Sequence, residues 1–365
     1  MTIVRRPIIA VAGSSGKTTT KEMIASILQQ RWRILKSKNN RNNRQAIRKH
    51  VKQIRPYHRA VVQEYGMSAR GHLRNSCRIL RPNMAVITMV GTAHIGNVGG
   101  SLKTLIAAKS ELIKYMNPAG TLFLNADDHN SKLLHTKDFR GRIFKVGMKN
   151  HADYRAYDIR YVEGGMRFKV NLNGSSHSFF IPIYGTHNVY NALFAIAVTH
   201  RLGFDAKTIK AGLSKYIKLQ RRMRVYTVAN RIRVIDDTFN ANPNSVKAAV
   251  EVLSKVGKGK NIAVLGDMME LGRYSIQGHR DVGRYVVGKK VDNLITYGRR
   301  AKLIGQVAVS RGFPAKRVVH ASNRTILHKQ IKQKVTPGAT VLVKGSNATH
   351  MSVTVKYLRR GLKSK

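Results

Sequence analysis

Cysteine is almost absent from this sequence: Cys77 is the only one in 365 residues. An internal disulfide and any metal site built on clustered cysteines are thereby excluded, and a reducing compartment such as the cytoplasm fits best. Acidic residues are nearly as scarce, 17 against 67 lysines and arginines, for a formal net charge of +50. Residues 1–63 contain a single acid, Glu22, and none follows Asp292. Aromatic residues make up 7%, and there is no ribonucleoprotein-type aromatic motif, helix-turn-helix signal or zinc-finger spacing. The charge therefore argues for general attraction to polyanions rather than for a sequence-specific nucleic-acid reader. No run approaches the roughly 20 apolar residues of a membrane span. The opening Met-Thr-Ile-Val-Arg-Arg leads straight into a strand-like run, without the apolar core of a signal peptide.

What is present is a chain long enough for two cores, with 42% hydrophobic residues in short runs. The β-rich runs Ile8–Ala12, Ala60–Gln63, Met84–Thr88 and Thr121–Leu124 alternate with helical or loop stretches, the pattern of a parallel sheet with crossover helices. From Ala152 the texture changes. Met166–Leu172 and His177–Ile183 flank Asn173-Gly174, a strong hairpin signal. Helical patterns return at Asn188–Leu202 and Asp205–Tyr216. The polar, basic stretch Lys218–Arg224 reads as a linker. Beyond it a second alternation runs through Arg233–Ile235, a helix after Pro243, Ile262–Leu265, a helix over Ile276–Val287, Leu294–Thr296 and Val341–Val343. The expected fold is α/β: a P-loop-type parallel-sheet ATPase domain over residues 1–220, then a smaller Rossmann-like α/β domain over 221–365.

Between the first strand and the first helix lies Gly13-Ser14-Ser15-Gly16-Lys17-Thr18-Thr19. Glycines let backbone N–H groups converge on phosphate oxygens at a helix N-terminus. Lys17 would neutralise terminal phosphates, and the Thr18 hydroxyl would reach Mg²⁺. The usual first glycine of such a loop is Val11 here, and the plainer reading is a strand-to-helix turn with one lysine.

Because acids are so few, their placement is informative. Glu64, Asp127-Asp128, Asp236-Asp237 and Asp267 with Glu270 each end or follow a strand-like run, and α/β folds bind ligands at strand ends. A carboxylate there can hold Mg²⁺, which prefers oxygen ligands; the bland alternative for each is a solvated loop acid. His94 follows the third run. Lys109 shares a helical face with Leu105, Leu112 and Met116. An ammonium buried there must lose its proton, be modified, or snorkel to the edge. A neutral amine can take up CO₂ as a carbamate, a new anionic metal ligand.

Together these residues resemble the Mur ligase family of peptidoglycan synthesis, from Ile8 to about Leu358. Gly13–Thr20 is similar to the family's GTNGKTTT loop. Glu64 in Gln-Glu-Tyr-Gly-Met and His94 in Val-Gly-Thr-Ala-His resemble its two magnesium stations. Lys109 in Ala-Ala-Lys-Ser-Glu matches the lysine carbamylated in several members. The stretch His187–Ala192, with Asn188 and Asn191, resembles a contribution to the adenine pocket. Asp236–Pro243 is similar to DDxYNANP, which implies Asp236 on the ribose and Asn240 and Asn242 toward substrate. Leu265–Gly272 and Val343-Lys344-Gly345-Ser346 also match, Lys344 being a further substrate candidate. Arg222 falls where the family places an arginine reaching the γ-phosphate.

The resemblance implies an ATP- and Mg²⁺-dependent ligase that joins a carboxylate to an amine through an acyl phosphate, with small-molecule or peptide substrates. The branch adding D-Ala-D-Ala is the one resembled most. ATP would bind between the two domains, with Lys17, Lys109 and Arg222 catalytic, and closure would assemble the site. Three departures stand out: the family's N-terminal UDP-sugar domain has no counterpart, the Gly before the linker arginine is Arg221, and the arginine after Lys-Gly-Ser is Asn347. They leave open a ligase for another carboxylate or an amino-acid polymer, or a polyanion-binding protein on a degenerate ligase fold. Oligomeric state is not legible in the sequence.

Overall fold

The apolar pentad Ile8–Ala12 forms β1, buried from Ile9 onward at the middle of a parallel array. The computed structural model describes residues 6–361. The opening residues 1–5, on which the expected lack of a signal peptide rests, and residues 362–365 lie outside them. The chain divides into two compact units, one of Met1–Pro182 with Thr186–Ile217, the other of Ile183–Gly185 with Lys218–Lys365.

In the first unit β1 is followed by α1 (Lys17–Leu28), β2 (Ile34–Lys36), α2 (Arg44–Val51), β3 (Ala60–Glu64), α3 (His72–Ile79), β4 (Met84–Ile87), α4 (Leu102–Tyr115), β5 (Thr121–Asn125) and β6 (Arg142–Gly147). A meander, β7 (Tyr154–Val162), β8 (Gly165–Leu172) and β9 (Ser175–Ile181), precedes α5 (Thr186–Arg201) and α6 (Ala206–Ser214). The nine strands run in the order β2-β3-β1-β4-β5-β6-β7-β8-β9. Pairing is parallel from β2 as far as the β6–β7 contact, and antiparallel between β7, β8 and β9. The expected hairpin at Asn173-Gly174 is the β8–β9 turn, where both residues take positive φ as a type I′ turn requires.

The step from β1 to β2 runs one way along the sheet, and the steps to β3, β4 and β5 run the other. Right-handed crossovers then put α1 on one face and α2, α3 and α4 on the opposite face. The packing agrees: α1 lies against α5 and α6, α2 against α3, and α3 against α4. The order reverses at β1, which is where a doubly wound sheet opens a crevice at its carboxyl ends.

The second unit holds β10 (Arg224–Thr227), β11 (Arg233–Asp237), α7 (Pro243–Val256), β12 (Asn261–Gly266), α8 (Ser275–Val286), β13 (Asn293–Tyr297), α9 (Lys302–Ser310), β14 (Val318–Ala321), α10 (Arg324–Lys334), β15 (Thr340–Lys344) and α11 (Ser352–Gly361). Its sheet order is β10-β11-β15-β12-β13-β14, parallel except at β10. Val234, Ile262, Val264, Ile295, Val341 and Leu327 lie in one buried cluster. Strands β2, β6, β10 and β14 are short or charge-bearing, and alternation alone does not reveal them. Among the described residues no helix is long and apolar enough to cross a membrane.

Candidate active site

The loop after β1 is shaped by what surrounds it. Gly13 takes φ +138, and a Cβ there would lie 1.9 Å from Thr88 Oγ1. Gly16, at φ +84, caps α1, and its Cβ would meet Asn191 Oδ1 at 2.3 Å. Both positions need glycine for conformation and for space. Ser14 is tied to the loop after β4: its N–H donates to Met89 O at 2.9 Å, and its hydroxyl donates to Gly91 O at 2.8 Å. Thr88 donates to Ser15 O at 2.5 Å. Thr20 donates to Asn191 Oδ1 at 3.1 Å, and Asn191 donates in turn to Asn188 Oδ1 at 2.9 Å. Thr18 and Thr19 are buried in the first turn of α1. Lys17 Nζ folds back to Gly13 O at 2.8 Å. Asn188 and Asn191, expected at an adenine pocket, thus brace the phosphate loop from α5.

Strand register places the other candidates at the same sheet edge. Val11 pairs with Glu64, Ala12 with Ile87, and Ile87 with Leu124, so Gly13, Glu64, Thr88 and Asn125 emerge side by side. Glu64 is the last residue of β3 and 1% exposed. Its N–H donates to Ser37 Oγ at 3.0 Å, and its Oε1 accepts from Asn42 Nδ2 at 2.8 Å. Its Oε2 is buried with no hydrogen-bond partner, a cost of about 1–3 kcal/mol unless something cationic faces it. That is the observation that fits a divalent cation. Among the described residues there is no group of three or more His, Cys, Asp or Glu suited to a metal. A Mg²⁺ held by one carboxylate, with phosphate and water oxygens completing its shell, is the arrangement such a donor set can supply. His94 takes the left-handed conformation, φ 61, just after the loop that clasps Ser14.

Sequence reasoning missed the support behind Glu64. Asn42 also accepts Gly66 N–H on its backbone carbonyl at 3.0 Å. Lys21, fully buried on α1, donates to Ser37 O at 2.6 Å and Asn39 O at 2.7 Å and pairs with Glu22 at 2.6 Å. Burial holds its pKa below the usual lysine value, against the pull of Glu22. The run Asn39-Asn40-Arg41-Asn42-Asn43 was the available signal, since polar amides massed in a loop need partners.

Lys109 does not snorkel. It is 2% exposed on α4, with Leu105, Leu112 and Met116 fully buried on the same face. Burial lowers its pKa to about 7, the Lys17 ammonium adds to the shift, and Asp128 opposes it. Burial thus favours the neutral amine that carbamate formation requires.

Asp127 and Asp128 are structural ties. Asp127 accepts N–H groups of Met148, Lys149 and Asn150 at 2.6, 3.0 and 2.7 Å and the Tyr190 hydroxyl at 2.7 Å. Burial works to raise its pKa, but these donors outweigh it and hold the carboxyl below its usual value. Asp128 accepts Val90 N–H at 2.7 Å and the Ser131 hydroxyl at 2.5 Å.

In the second unit Asp236, at the end of β11, is buried and accepts the Thr238 hydroxyl at 2.6 Å. Burial raises its pKa despite that bond. Asp237 pairs with Lys344 at 2.5 Å. The Lys344 ammonium also donates to Asn240 O at 2.9 Å and Asp237 O at 3.3 Å, which uses its three donors. Lys344 thus fixes the turn bearing Asn240. The Asn240 side chain accepts its neighbour's N–H, from Ala241, at 2.8 Å. Asn242 caps α7 in a capping box with Ser245. Arg222 lies over Phe239, 3.9 Å from the ring centre, and Arg221 approaches the same ring at 5.9 Å. Asp267 accepts the N–H groups of Arg300 and Ala301 at 3.0 and 2.6 Å.

Comparison with known proteins agrees with this geometry. Residues 11–199 match the family model of the Mur ligase middle domain, and residues 221–347 match that of the Mur ligase glutamate ligase domain. The UDP-N-acetylmuramoyl-tripeptide–D-alanyl-D-alanine ligase of Bacillus subtilis is 33% identical over 355 residues, 96% of this chain and 75% of that protein. MurF from Acinetobacter baumannii superposes with a TM-score of 0.87 at 30% identity, covering 97% of this chain and 76% of that one. MurF ligase from Thermotoga maritima in complex with ADP shares the fold, with a TM-score of 0.84 at 23% identity over 98% of this chain and 80% of that one.

Proposed function

Since the chain belongs to the Mur ligase family, we propose that it is an ATP-dependent ligase that joins D-alanyl-D-alanine to a UDP-N-acetylmuramoyl-tripeptide carboxylate. The supporting observation is the convergence, at the carboxyl ends of β1, β3 and β4, of a braced phosphate loop with a buried carboxylate oxygen that lacks a partner.

The substrate carboxylate attacks the γ-phosphorus of ATP, an acyl phosphate forms, and ADP leaves. The amine then attacks the acyl carbon, the amide bond forms, and inorganic phosphate departs with the bonding pair. The protein's part is positioning and charge stabilisation. The N–H groups of Gly13–Thr19 cradle the phosphates, and Lys17, held within reach by its own loop, meets the charge on the terminal ones. Glu64, with His94, Thr18 and Lys109 as a carbamate, would hold the magnesium. Bound there, Mg²⁺ supplies charge neutralisation on the phosphate oxygens. Arg222, set against Phe239, is our candidate for contact with the γ-phosphate, and Asp236 for contact with the ribose. Asn240, Asn242 and Lys344 act as positioning residues for the loop between β11 and α7.

The test follows ADP and phosphate release with UDP-N-acetylmuramoyl-tripeptide and D-Ala-D-Ala as the first substrate pair. Turnover should require both substrates and vanish in Lys17→Ala without loss of the cooperative unfolding transition. Full activity in that variant would overturn the phosphate-loop assignment. Turnover only with another carboxylate would overturn the substrate assignment.

A further inference from the structure

The layer formed by α2 and α3 is one of two acid-poor basic regions, the other being the chain after Asp292, which holds α9, α10 and α11. Between Glu22 and Glu111 the only acidic residue is Glu64, and that carboxylate is buried at the sheet edge. The α2–α3 stretch and its flanking turns therefore carry no other carboxylate of their own, and the one that reaches them is Glu111 of α4, which accepts the Gly71 and Arg74 N–H groups at 2.6 and 3.2 Å at the start of α3. Outside these two regions basic residues meet carboxylates: Asp205 pairs with Arg31, Asp281 with Arg284, and Glu251 with Lys289. What distinguishes the α2–α3 layer from α10 and α11 is an exposed aromatic ring, since Tyr357 on α11 is stacked on His328 with ring centres 4.0 Å apart.

On α2 the amphipathic spacing buries Ile47 and His50 and turns Arg44, Arg48 and the C-cap residue Lys52 outward at every fourth position. On α3, Leu73, Ser76 and Cys77 face inward, while Arg74, Arg78 and the following Arg81 are exposed. The two helices pack against each other on one face of the sheet, each with its basic residues on the solvent side. Residues four apart on a helix are about 6 Å apart. Arg44, Arg48 and Lys52 thus form a ladder of like charges on α2, and Arg74 and Arg78 a second on α3, with Arg81 just past its end donating to Met116 O at 3.4 Å. None of the six is in an ion pair among the described residues. Such an array repels itself and is relieved by a ligand with regularly repeated anions.

We propose that this layer docks the phosphate backbone of a nucleic acid, without sequence preference. Five of the six side chains are arginine, whose planar fork engages phosphate oxygens bidentately. The one large apolar side chain exposed on the same segment is Tyr57, 58% exposed in the turn after α2 and in ring contact with His58 at 4.5 Å. An exposed ring beside a basic row is a stacking platform for a base. An anionic membrane would meet charge and a single ring here, without the apolar stripe that insertion needs. Arg44 opens α2 two residues after Asn42, which orients Glu64, and the substitutions below leave it in place.

The experiment compares the full chain with two variants of equal net charge. One reverses the layer (Arg48→Glu, Lys52→Glu, Arg74→Glu, Arg78→Glu). The other reverses four exposed residues on α10 and α11 (Lys329→Glu, Lys332→Glu, Lys356→Glu, Arg360→Glu). Binding of a labelled single-stranded oligonucleotide of about 20 nucleotides is measured across a salt series. The layer variant should bind more than about tenfold more weakly, with a salt slope shallower by about 3, and the α10–α11 variant should stay within about threefold of the parent. Unchanged ADP release in both keeps folding out of the comparison. Equal losses in the two variants would assign the binding to overall charge and overturn the proposal. So would no binding by the parent near physiological salt, or stronger capture of the parent by phosphatidylglycerol vesicles at matched phosphate.

Discussion

Arg221 Nη2 donates to Asn347 Oδ1 at 2.7 Å across 126 residues of sequence. These are two of the positions at which the chain departs from the family pattern, glycine in one case and arginine in the other. The departures are partners: a guanidinium stands on the linker, and an acceptor stands where the family carries a donor. Arg221 also donates to Thr238 O at 2.5 Å and Thr238 Oγ1 at 3.2 Å.

Arg221 holds φ 62, a left-handed conformation that costs a non-glycine residue about 1–2 kcal/mol. Arg221→Gly should therefore destabilise less than Arg221→Ala, by about 1 kcal/mol. A double-mutant cycle of Arg221→Ala with Asn347→Ala should give a coupling of about 1 kcal/mol. Urea unfolding measures both quantities, and purely additive losses would show that the bond contributes nothing.

Lys109 carries a pH signature. Burial holds its folded-state pKa to about 7, below the usual 10.5. Between those values the unfolded chain binds one proton more than the folded chain, so stability rises with pH, by at most about 1.4 kcal/mol per unit. Lys109→Met should flatten that rise between pH 7 and about 9 in CO₂-free buffer; an unaltered slope would mean the amine stays charged. Lys109→Ala should lose ADP release and regain part of it with a short free carboxylate such as formate. Full activity without such an acid would rule out the carbamate.

Asn42 orients Glu64 through the 2.8 Å bond to Oε1. Partners of this kind typically alter metal affinity by about 10–100-fold when removed. Asn42→Ala should raise the Mg²⁺ concentration for half-maximal ADP release by that factor and leave the ATP dependence at saturating Mg²⁺ nearly unchanged. Parallel losses at every Mg²⁺ concentration would point to a folding defect instead.

Gly16→Ala should abolish binding of a fluorescent ATP analogue, because the added Cβ meets Asn191 Oδ1 at 2.3 Å and φ is +84. Gly174→Ala, also at positive φ but in an open turn with nothing within 4 Å, should cost about 1 kcal/mol of stability and spare nucleotide binding. Similar nucleotide affinity in the two variants would contradict the bracing role of α5.

The sequence by itself determined the central strands, the β8–β9 turn and the identity of the chemistry. Runs such as Ile8–Ala12 and Asn261–Gly266 are apolar enough to be central strands wherever they sit. Asn173-Gly174 encodes its own turn. The Gly-Ser-Ser-Gly-Lys-Thr-Thr loop announces phosphate because only glycine allows its backbone to close. Tertiary structure decided what isolated residues could not. Whether Lys109 is a buried base or an edge lysine depends on the neighbours that remove water from it. Whether an aspartate is a ligand or a tie depends on distant N–H groups, as Met148–Asn150 supply for Asp127. Glu64 became a metal candidate because Ser37 and Asn42 leave its Oε2 buried without a partner. The excess of basic residues, diffuse along the sequence, became a surface only when α2 and α3 packed side by side. Periodicity records which side of an element faces the core; which elements then meet is set by the sheet order and by burial, and those arise from the whole chain together.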